Sequence, residues 1–457
     1  MKSWWKIIRH ALGVALTGVE LMALGSPPVV TAVDVREYGA VGDGKTKNTA
    51  AIQRAIDACA RSGGGEVRVA GGTYMTGVIF LKDNVSLALA ADGTLLGSPD
   101  DCDYPTNTVV RHLDVTKVPR GRATALIIAD ECRNVGIIGP GTIDCNGRAF
   151  VEEAKTKDYG YVEPGSGGES LGENWVNWRY RRIPGRTPPP RMVLFAGCTD
   201  VRVVGVRMLQ PAAGWGYWVT DCDRVVFECD EVLADPLYAN ADGIHVTASR
   251  DVSIADCHIV AGDDAIAIRC NCRALPAVKP CERVTVTRCR LTSHANAVRI
   301  GWLNDGRIRD CAFSDLVIAD SACGIGIDLP KFECGMSDYG CEASLYENLS
   351  FQNITMERVY SAPVRVEITD DASTRMEAIR NVTISNVTAT AYQYPSFRCP
   401  NGRELENVRF EDCSFTKVPK GAFPRKWQQV GAAYWWAVDE AVRKDAPGVS
   451  YVNCTFE

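Results

Sequence analysis

One short pattern recurs along this 457-residue chain and limits the folds open to it. It reads apolar, x, apolar, x, then Asn, Asp or a small residue. Examples are Val135/Ile137, Val201/Val203, Val252/Ile254, Val284/Val286, Leu349/Phe351, Val382/Ile384, Val408/Phe410 and Val449/Tyr451. In the central repeats a second such pair follows the first: Tyr217/Val219, Ile244/Val246, Ile266/Ile268, Val298/Ile300, Ile325/Ile327 and Val364/Val366. Alternation with a period of two, rich in β-branched residues, predicts strands. Recurrence at roughly 24 to 40 residues predicts a solenoid, because one such unit cannot bury its apolar face alone. The expected fold is all-β, a single-domain parallel β-helix with irregular turns. A β-sandwich or propeller is the alternative, but blade signatures and tight hairpin dipeptides are scarce.

A solenoid needs capped ends. Asn48-Thr49, followed by Ile52, Ala55, Ile56 and Cys59, predicts an N-capped amphipathic helix. It ends at Ser62-Gly63-Gly64-Gly65 and is expected to plug the bore within an N-terminal cap and first coils spanning 33–100. Segment 147–190 has no strand pattern and is rich in Gly, Pro and aromatics, so a long surface loop is expected there. Its Trp175, Trp178 and Tyr180 are candidate substrate contacts. Residues 33–457 read as one β-helix domain. Ahead of them, Lys2, Lys6 and Arg9 precede an apolar run from Ala11 to Leu24, and Val30-Thr31-Ala32 offers a small-residue cleavage site. That layout predicts a signal peptide over 1–32 and a secreted or periplasmic protein, with a short membrane anchor as the alternative.

The net charge of −6, without a basic block, argues against a nucleic-acid partner. After processing no membrane partner is expected, and the chain is expected to be a monomer. Nineteen cysteines would permit disulfides after export, with Cys270, Cys272 and Cys281 around one loop and Cys323, Cys334 and Cys341 around another as the candidate partners. Cys257, Cys289, Cys311, Cys413 and Cys454 recur at one repeat position and read as stacked buried thiols. Asn348, Asn353, Asn381, Asn386 and Asn453 each begin an Asn-x-Ser/Thr triplet, which the repeat itself accounts for through side chains stacked along the helix. No cofactor or metal is expected.

The chemistry lies in two successive turns. Asn240-Ala241-Asp242-Gly243-Ile244-His245 is followed by Gly262-Asp263-Asp264-Ala265-Ile266. Each places an Asp two residues before an apolar-x-apolar strand. On adjacent rungs Asp242 and Asp264 would be strand neighbours, about 4.8 Å apart. Crowded carboxylates repel and shift one another's pKa, which suits general acid and base work. One such motif alone would read as a turn residue beside Gly.

With these motifs the chain resembles glycoside hydrolase family 28, the polygalacturonase group of pectinases. The resemblance runs from Tyr38-Gly-Ala-Val-Gly-Asp-Gly44 and Asn48-Thr49, through Gly72-Thr73-Tyr74 and Pro190-Arg191-Met192, to the two acidic motifs with Arg269. It implies a right-handed parallel β-helix and hydrolysis with inversion of pectin-like, galacturonate-containing polysaccharide or oligosaccharide. It further implies Asp263 as general acid, with Asp242 and Asp264 holding and deprotonating water. Asn240, Arg269, Asn296, Arg299, His294, His245 and Trp215 are the candidate substrate-binding residues.

Two departures matter. Ala295-Asn296-Ala297 stands where the family carries Gly-His-Gly, and Asn296 cannot titrate. His294, two residues earlier, reads equally as a solvated turn residue. Gly326 and Asp328 stand where the family carries the Arg-x-Lys pair that receives the substrate carboxylate. Strand alternation puts Trp218, His245, Ala267, Arg299, Gly326 and Arg365 on one outward ladder, and Thr220, Thr247, Arg269, Gly301, Asp328 and Glu367 on the next. Arg299 and Arg269 could therefore receive an acidic sugar from shifted positions. The alternatives are a same-fold hydrolase of another sugar, such as a rhamnose-containing or branched pectic side chain, a uronate lyase with a cation at the Asp pair, and a non-catalytic carbohydrate-binding β-helix.

Overall fold

The computed structural model describes residues 32–118, 122–153, 180–211, 214–236, 238, 240–302, 304–329, 343–368, 375–399, 405–419 and 445–457. The expected signal peptide, Trp175, Trp178, Cys334 and Cys341 lie outside them.

Two long parallel sheets wind around one bore, one of 10 and one of 23 strands among the described residues. The 10-stranded sheet carries the acidic motifs. In chain order its strands are β1 (Ile79–Phe80), β2 (Ala125–Asp130), β3 (Arg191–Ala196), β4 (Trp215–Thr220), β5 (Ile244–Thr247), β6 (Ile266–Arg269), β7 (Asn296–Ile300), β8 (Cys323–Leu329), β9 (Val364–Ile368) and β10 (Ser396–Arg398). Each pairs in parallel with the next, as coils of a right-handed parallel β-helix do. The register aligns the repeat position by position: Tyr217 with Ile244, Ile244 with Ile266, Ile266 with Val298, and Val298 with Ile325.

That register explains the repeat. The aligned positions point into the bore, where Tyr217, Ile244, Ile266, Val298 and Ile325 are fully buried. Burying each aliphatic side chain stabilises the fold by about 1.5–3 kcal/mol. The coil corners need left-handed backbone, which Asn and Asp tolerate better than most residues. Asn348, Asn381 and Asn407 all have φ near +55°, and their amides bond from coil to coil, Asn381 Nδ2 to Asn348 Oδ1 at 3.2 Å and Asn407 Nδ2 to Asn381 Oδ1 at 3.0 Å. These ladders are the stacked Asn side chains that the triplets implied.

At the N-terminal end α1 (Thr49–Arg61) buries Ala51, Ile52, Ala55, Ile56 and Cys59. It packs against the strands Ala32–Asp34 and Gly65–Val69 and against β1. Asn48 sits at the N-cap position, but its side chain makes no cap bond. Instead it bridges back to the Val41 N–H and C=O, at 2.7 and 3.0 Å, tying the helix start to the preceding loop.

Three expectations need correction. Segment 147–190 is not wholly loop: Val151–Glu153 and Tyr180–Arg182 pair as an antiparallel ribbon, a pattern too short for periodicity to reveal. Cys270, Cys272 and Cys281 are buried thiols rather than half-cystines; the first two both donate to Lys279 O, at 3.0 and 3.2 Å. Cys323 is buried, and its candidate partners lie outside the described residues. Cys311 is out of step with its companions. Cys257 lies beside Cys289, and Cys413 beside Cys454, at one coil position, which Leu316, Ile354 and Val387 fill in between. No helix among the described residues is long and apolar enough to cross a membrane.

Candidate active site

The site grows out of the register of β5 on β6. Asp242 and Asp264 each precede a paired Ile by two residues, so Ile244 opposite Ile266 sets the two carboxylates on neighbouring rungs. The Gly243 N–H donates to Asp264 O at 2.9 Å. The same column continues to Trp215 on β4 and Asn296 on β7. Gly262 lets the second motif turn: a Cβ there would stand 1.9 Å from Tyr238 O.

Each acid has its own surroundings. Asp264 is 5% exposed. Its Oδ1 accepts from the Asn296 backbone N–H at 3.2 Å and from Asn296 Nδ2 at 2.7 Å, and its Oδ2 faces Arg299 Nη1 at 3.3 Å. Asp242 is 3% exposed and its Oδ2 lies 3.3 Å from His245 Nδ1. Asp263 is half-buried and accepts from Asn240 Nδ2 at 3.0 Å. Its main chain is pinned below, the Ser293 hydroxyl donating to Asp263 O at 2.5 Å. Because Asp242 and Asp264 meet His245 and Arg299, which project from the outer face of the sheet, the acids face out of the bore.

These environments differ in what they favour. Asp264 has a guanidinium and two N–H donors against it, and Asp242 an imidazole. Asp263 stands at a half-open position with the Asn240 amide against it. The arrangement therefore gives each of the three carboxylates a different neighbour. Among the described residues, Glu228, Cys229 and Asp256 also cluster, but on the surface of the other sheet, where Arg288 already holds Asp256 through two bonds, at 2.8 and 2.7 Å.

Seven residues beyond the acids are candidates for substrate binding. Asn240, Asn296, Arg299 and His245 each touch one of the three acids, and Trp215 stacks on His245 with centroids 3.8 Å apart. Arg269 engages an acid outside the trio. Its guanidinium forks onto Asp305, which is fully buried, through Nε–Oδ2 and through Nη2–Oδ1 at 3.0 Å. His294 is 3% exposed and so is not a solvated turn residue; its backbone N–H donates to Ala261 O, folding the turn under β7.

Trp302, Asp305 and Arg191 went unnamed as site residues. Trp302 lies under the Arg299 guanidinium, 3.9 Å from centroid to Cζ. Arg191, fully buried, sits 4.6 Å from the Trp215 ring and 4.5 Å from Trp218. The signal for Trp302 and Asp305 was weak: both follow Gly301 in a connecting turn, outside the strand alternation.

Beside His245 opens a narrow recess of about 20 Å³, lined by Trp218, Thr247, Arg269, Asn271 and Leu275 among others. Its outer wall joins two loops: Asp114 N–H donates to Ala274 O at 2.9 Å, and Asp221 is shared by His112, at 2.8 Å, and Lys279. Burial pushes the Asp221 carboxyl up, but the bonds from His112 and Lys279 outweigh it and hold it below its ordinary value. His112 is raised in turn, chiefly by its bond to Asp221.

Gly326 explains part of the altered ladder. A Cβ at this position would stand 2.1 Å from Asn296 Oδ1, so β8 makes room for Asn296 by carrying no side chain there.

Comparison with known proteins gives a consistent picture. Residues 111–428 match the profile of the glycosyl hydrolases family 28, and residues 32–98 match that of rhamnogalacturonase A/epimerase, pectate lyase-like. A probable polygalacturonase of Vitis vinifera is 26% identical over 302 residues, which is 64% of this chain and 55% of that protein. An exo-poly-alpha-D-galacturonosidase of Dickeya chrysanthemi is 37% identical over 131 residues, 27% of this chain and 21% of that protein. The matches thus span about half or less of these relatives' lengths. Among solved structures, an exopolygalacturonase of Thermotoga maritima superposes with a TM-score of 0.63 at 20% identity, covering 85% of this chain and 87% of that one. That likeness bears on the fold.

Proposed function

The chain belongs to the glycosyl hydrolases family 28, and from that premise we propose that it hydrolyses glycosidic bonds of pectin-like, galacturonate-containing polysaccharide with inversion at the anomeric carbon. One observation carries the reading: three carboxylates stand at the starts of β5 and β6 on two adjacent coils, each with a different set of partners. Asp263, which accepts from the Asn240 amide, protonates the glycosidic oxygen as the bond breaks. Asp264 and Asp242, one beside a guanidinium and one beside an imidazole, hold and deprotonate the water that attacks the opposite face. The names of the matching relatives support the substrate class.

A second reading has a specific observation in its favour. Gly326 and Asp328 replace two cations, and Arg299 and Arg269 face Asp264 and Asp305. A galacturonate carboxylate would have to share a cation already engaged. This favours a neutral or rhamnose-containing residue of a pectic side chain at that end of the cleft.

Purified protein assayed for new reducing ends on polygalacturonate and on rhamnose-containing pectic fragments separates the two. Asp263→Asn is expected to abolish turnover and keep binding. Turnover unchanged in Asp263→Asn would remove the proposed acid. We also propose export to the cell exterior or periplasm, on the strength of the basic and apolar pattern of residues 1–32, and a single catalytic domain over 33–457. Detection of the protein in the culture medium or periplasmic fraction tests the former.

A further inference from the structure

Trp215 and His245 look like sugar contacts in the sequence, an aromatic and an imidazole beside the acids. The structure gives both another occupation. The His245 ring lies on the Trp215 indole, 3.8 Å between centroids and 22° from parallel. The indole also carries the Arg191 guanidinium, 4.6 Å from its centroid, and meets Trp218 edge-on at 5.7 Å. Trp218 is fixed in turn, its Nε1 donating to Thr247 Oγ1 at 3.1 Å. Trp215 is 9% exposed, His245 3% and Trp218 3%, so little aromatic face is left for a sugar to cover.

What the stack does present is one nitrogen. His245 Nδ1 lies 3.3 Å from Asp242 Oδ2. An ionised carboxylate only accepts, so the contact puts the proton on Nδ1 and leaves Nε2 without it in the neutral ring. The ring plane is set by the indole, and the indole by Arg191 and Trp218.

We propose that His245, clamped by Trp215, is a positioning residue for Asp242: it fixes Oδ2 by a hydrogen bond from Nδ1 and contributes little to sugar binding. The proposal rests on reading Asp242 as a carboxylate that holds the attacking water. It assigns a defined imidazole to a site whose next coil offers Asn296 and Arg299 to Asp264. Asp264 is oriented by two donors of Asn296; Asp242 receives its orientation from the opposite side, from an aromatic stack. A water held between the two is then aimed by supports on both flanks, and a small misplacement of either costs rate rather than affinity.

The test compares His245→Ala, His245→Asn and His245→Gln in the full chain, on whichever pectic oligosaccharide the wild type hydrolyses, with thermal melts to check folding. The Asn amide nitrogen stands close to where Nδ1 stood, and the Gln amide close to Nε2. His245→Ala is expected to lower kcat on the order of 10- to 100-fold, with KM within about twofold. His245→Asn should regain most of that rate, and His245→Gln should not. A raised KM with unchanged kcat would make His245 a sugar contact and overturn the proposal. So would equal loss in all three variants, or no loss. If His245→Ala does not fold, the Asn and Gln pair decides alone. A wild type inactive on every pectic substrate strikes the hydrolase reading itself, and this one with it. An active wild type with the wrong pattern strikes only the role of His245.

Discussion

Asn296 fastens Asp264 twice, its backbone N–H at 3.2 Å and its side-chain amide at 2.7 Å from the same Oδ1. The residue that departs from the family pattern is therefore built into the site. Asn296→Ala removes the stronger bond and is expected to lower kcat about tenfold with the fold intact. Asn296→Asp brings a second carboxylate against Asp264, which raises the pKa of the base. The acid limb of the pH–rate profile should move to higher pH, and a profile that stays in place would refute the assignment of Asp264 as a base.

Gly326 cannot be given back the family's arginine at no cost. Any Cβ on β8 at this point meets Asn296 Oδ1 at 2.1 Å. Gly326→Ala should lower activity by displacing Asn296 and, through it, Asp264, and Gly326→Arg should lower it further on galacturonate substrates. Combined with Asn296→Ala, the Gly326→Ala change should add little, since both act through one contact. Initial rates of the four proteins give the coupling directly.

Arg269 and Asp305 form a buried pair, 7% and 0% exposed. Asp305 also accepts the Cys270 N–H at 3.1 Å. Arg269→Met strands a carboxylate in the interior and is expected to destabilise by on the order of 3–5 kcal/mol. The double change Arg269→Met with Asp305→Asn should melt above the single one. If Arg269→Met leaves the melting temperature unchanged and raises KM alone, Arg269 binds substrate after all.

Asp230 sits fully buried at a corner of the larger sheet, its Oδ1 accepting the Val206 N–H at 2.6 Å. Burial pushes its carboxyl up to about 7 from an ordinary 3.8. Between those values the folded chain keeps a proton that the unfolded chain has lost. Its contribution to stability is thus complete below about pH 3.8 and is lost as the pH rises through 7. Asp230→Asn should flatten this part of the stability–pH curve, as melts from pH 4 to 8 will show. An unchanged slope would locate the dependence elsewhere.

The coils were legible in the sequence because alternation fixes which residues face the bore. Once Ile244 and Ile266 were matched, the neighbourhood of Asp242 and Asp264 followed, and so did the outward ladder of Trp218, His245, Ala267 and Arg299. Side-chain partners were less legible. Alternation shows that Arg269 points outward, but its partner Asp305 lies 36 residues on, in a turn no period governs. The same holds for Trp302 under Arg299. The thiol loop misled for a related reason: spacing brings Cys270, Cys272 and Cys281 together, yet proximity does not distinguish a bridge from thiols bonded to a carbonyl.

Proton NMR of the first product formed tests the central claim most directly. With an α-linked oligogalacturonide, or the pectic oligosaccharide that the wild type prefers, hydrolysis by one acid and two water-holding carboxylates predicts that the new reducing end appears first as the inverted anomer, and that Asp263→Asn yields none. A retained anomer as the first product, or an unsaturated uronate in its place, would contradict it.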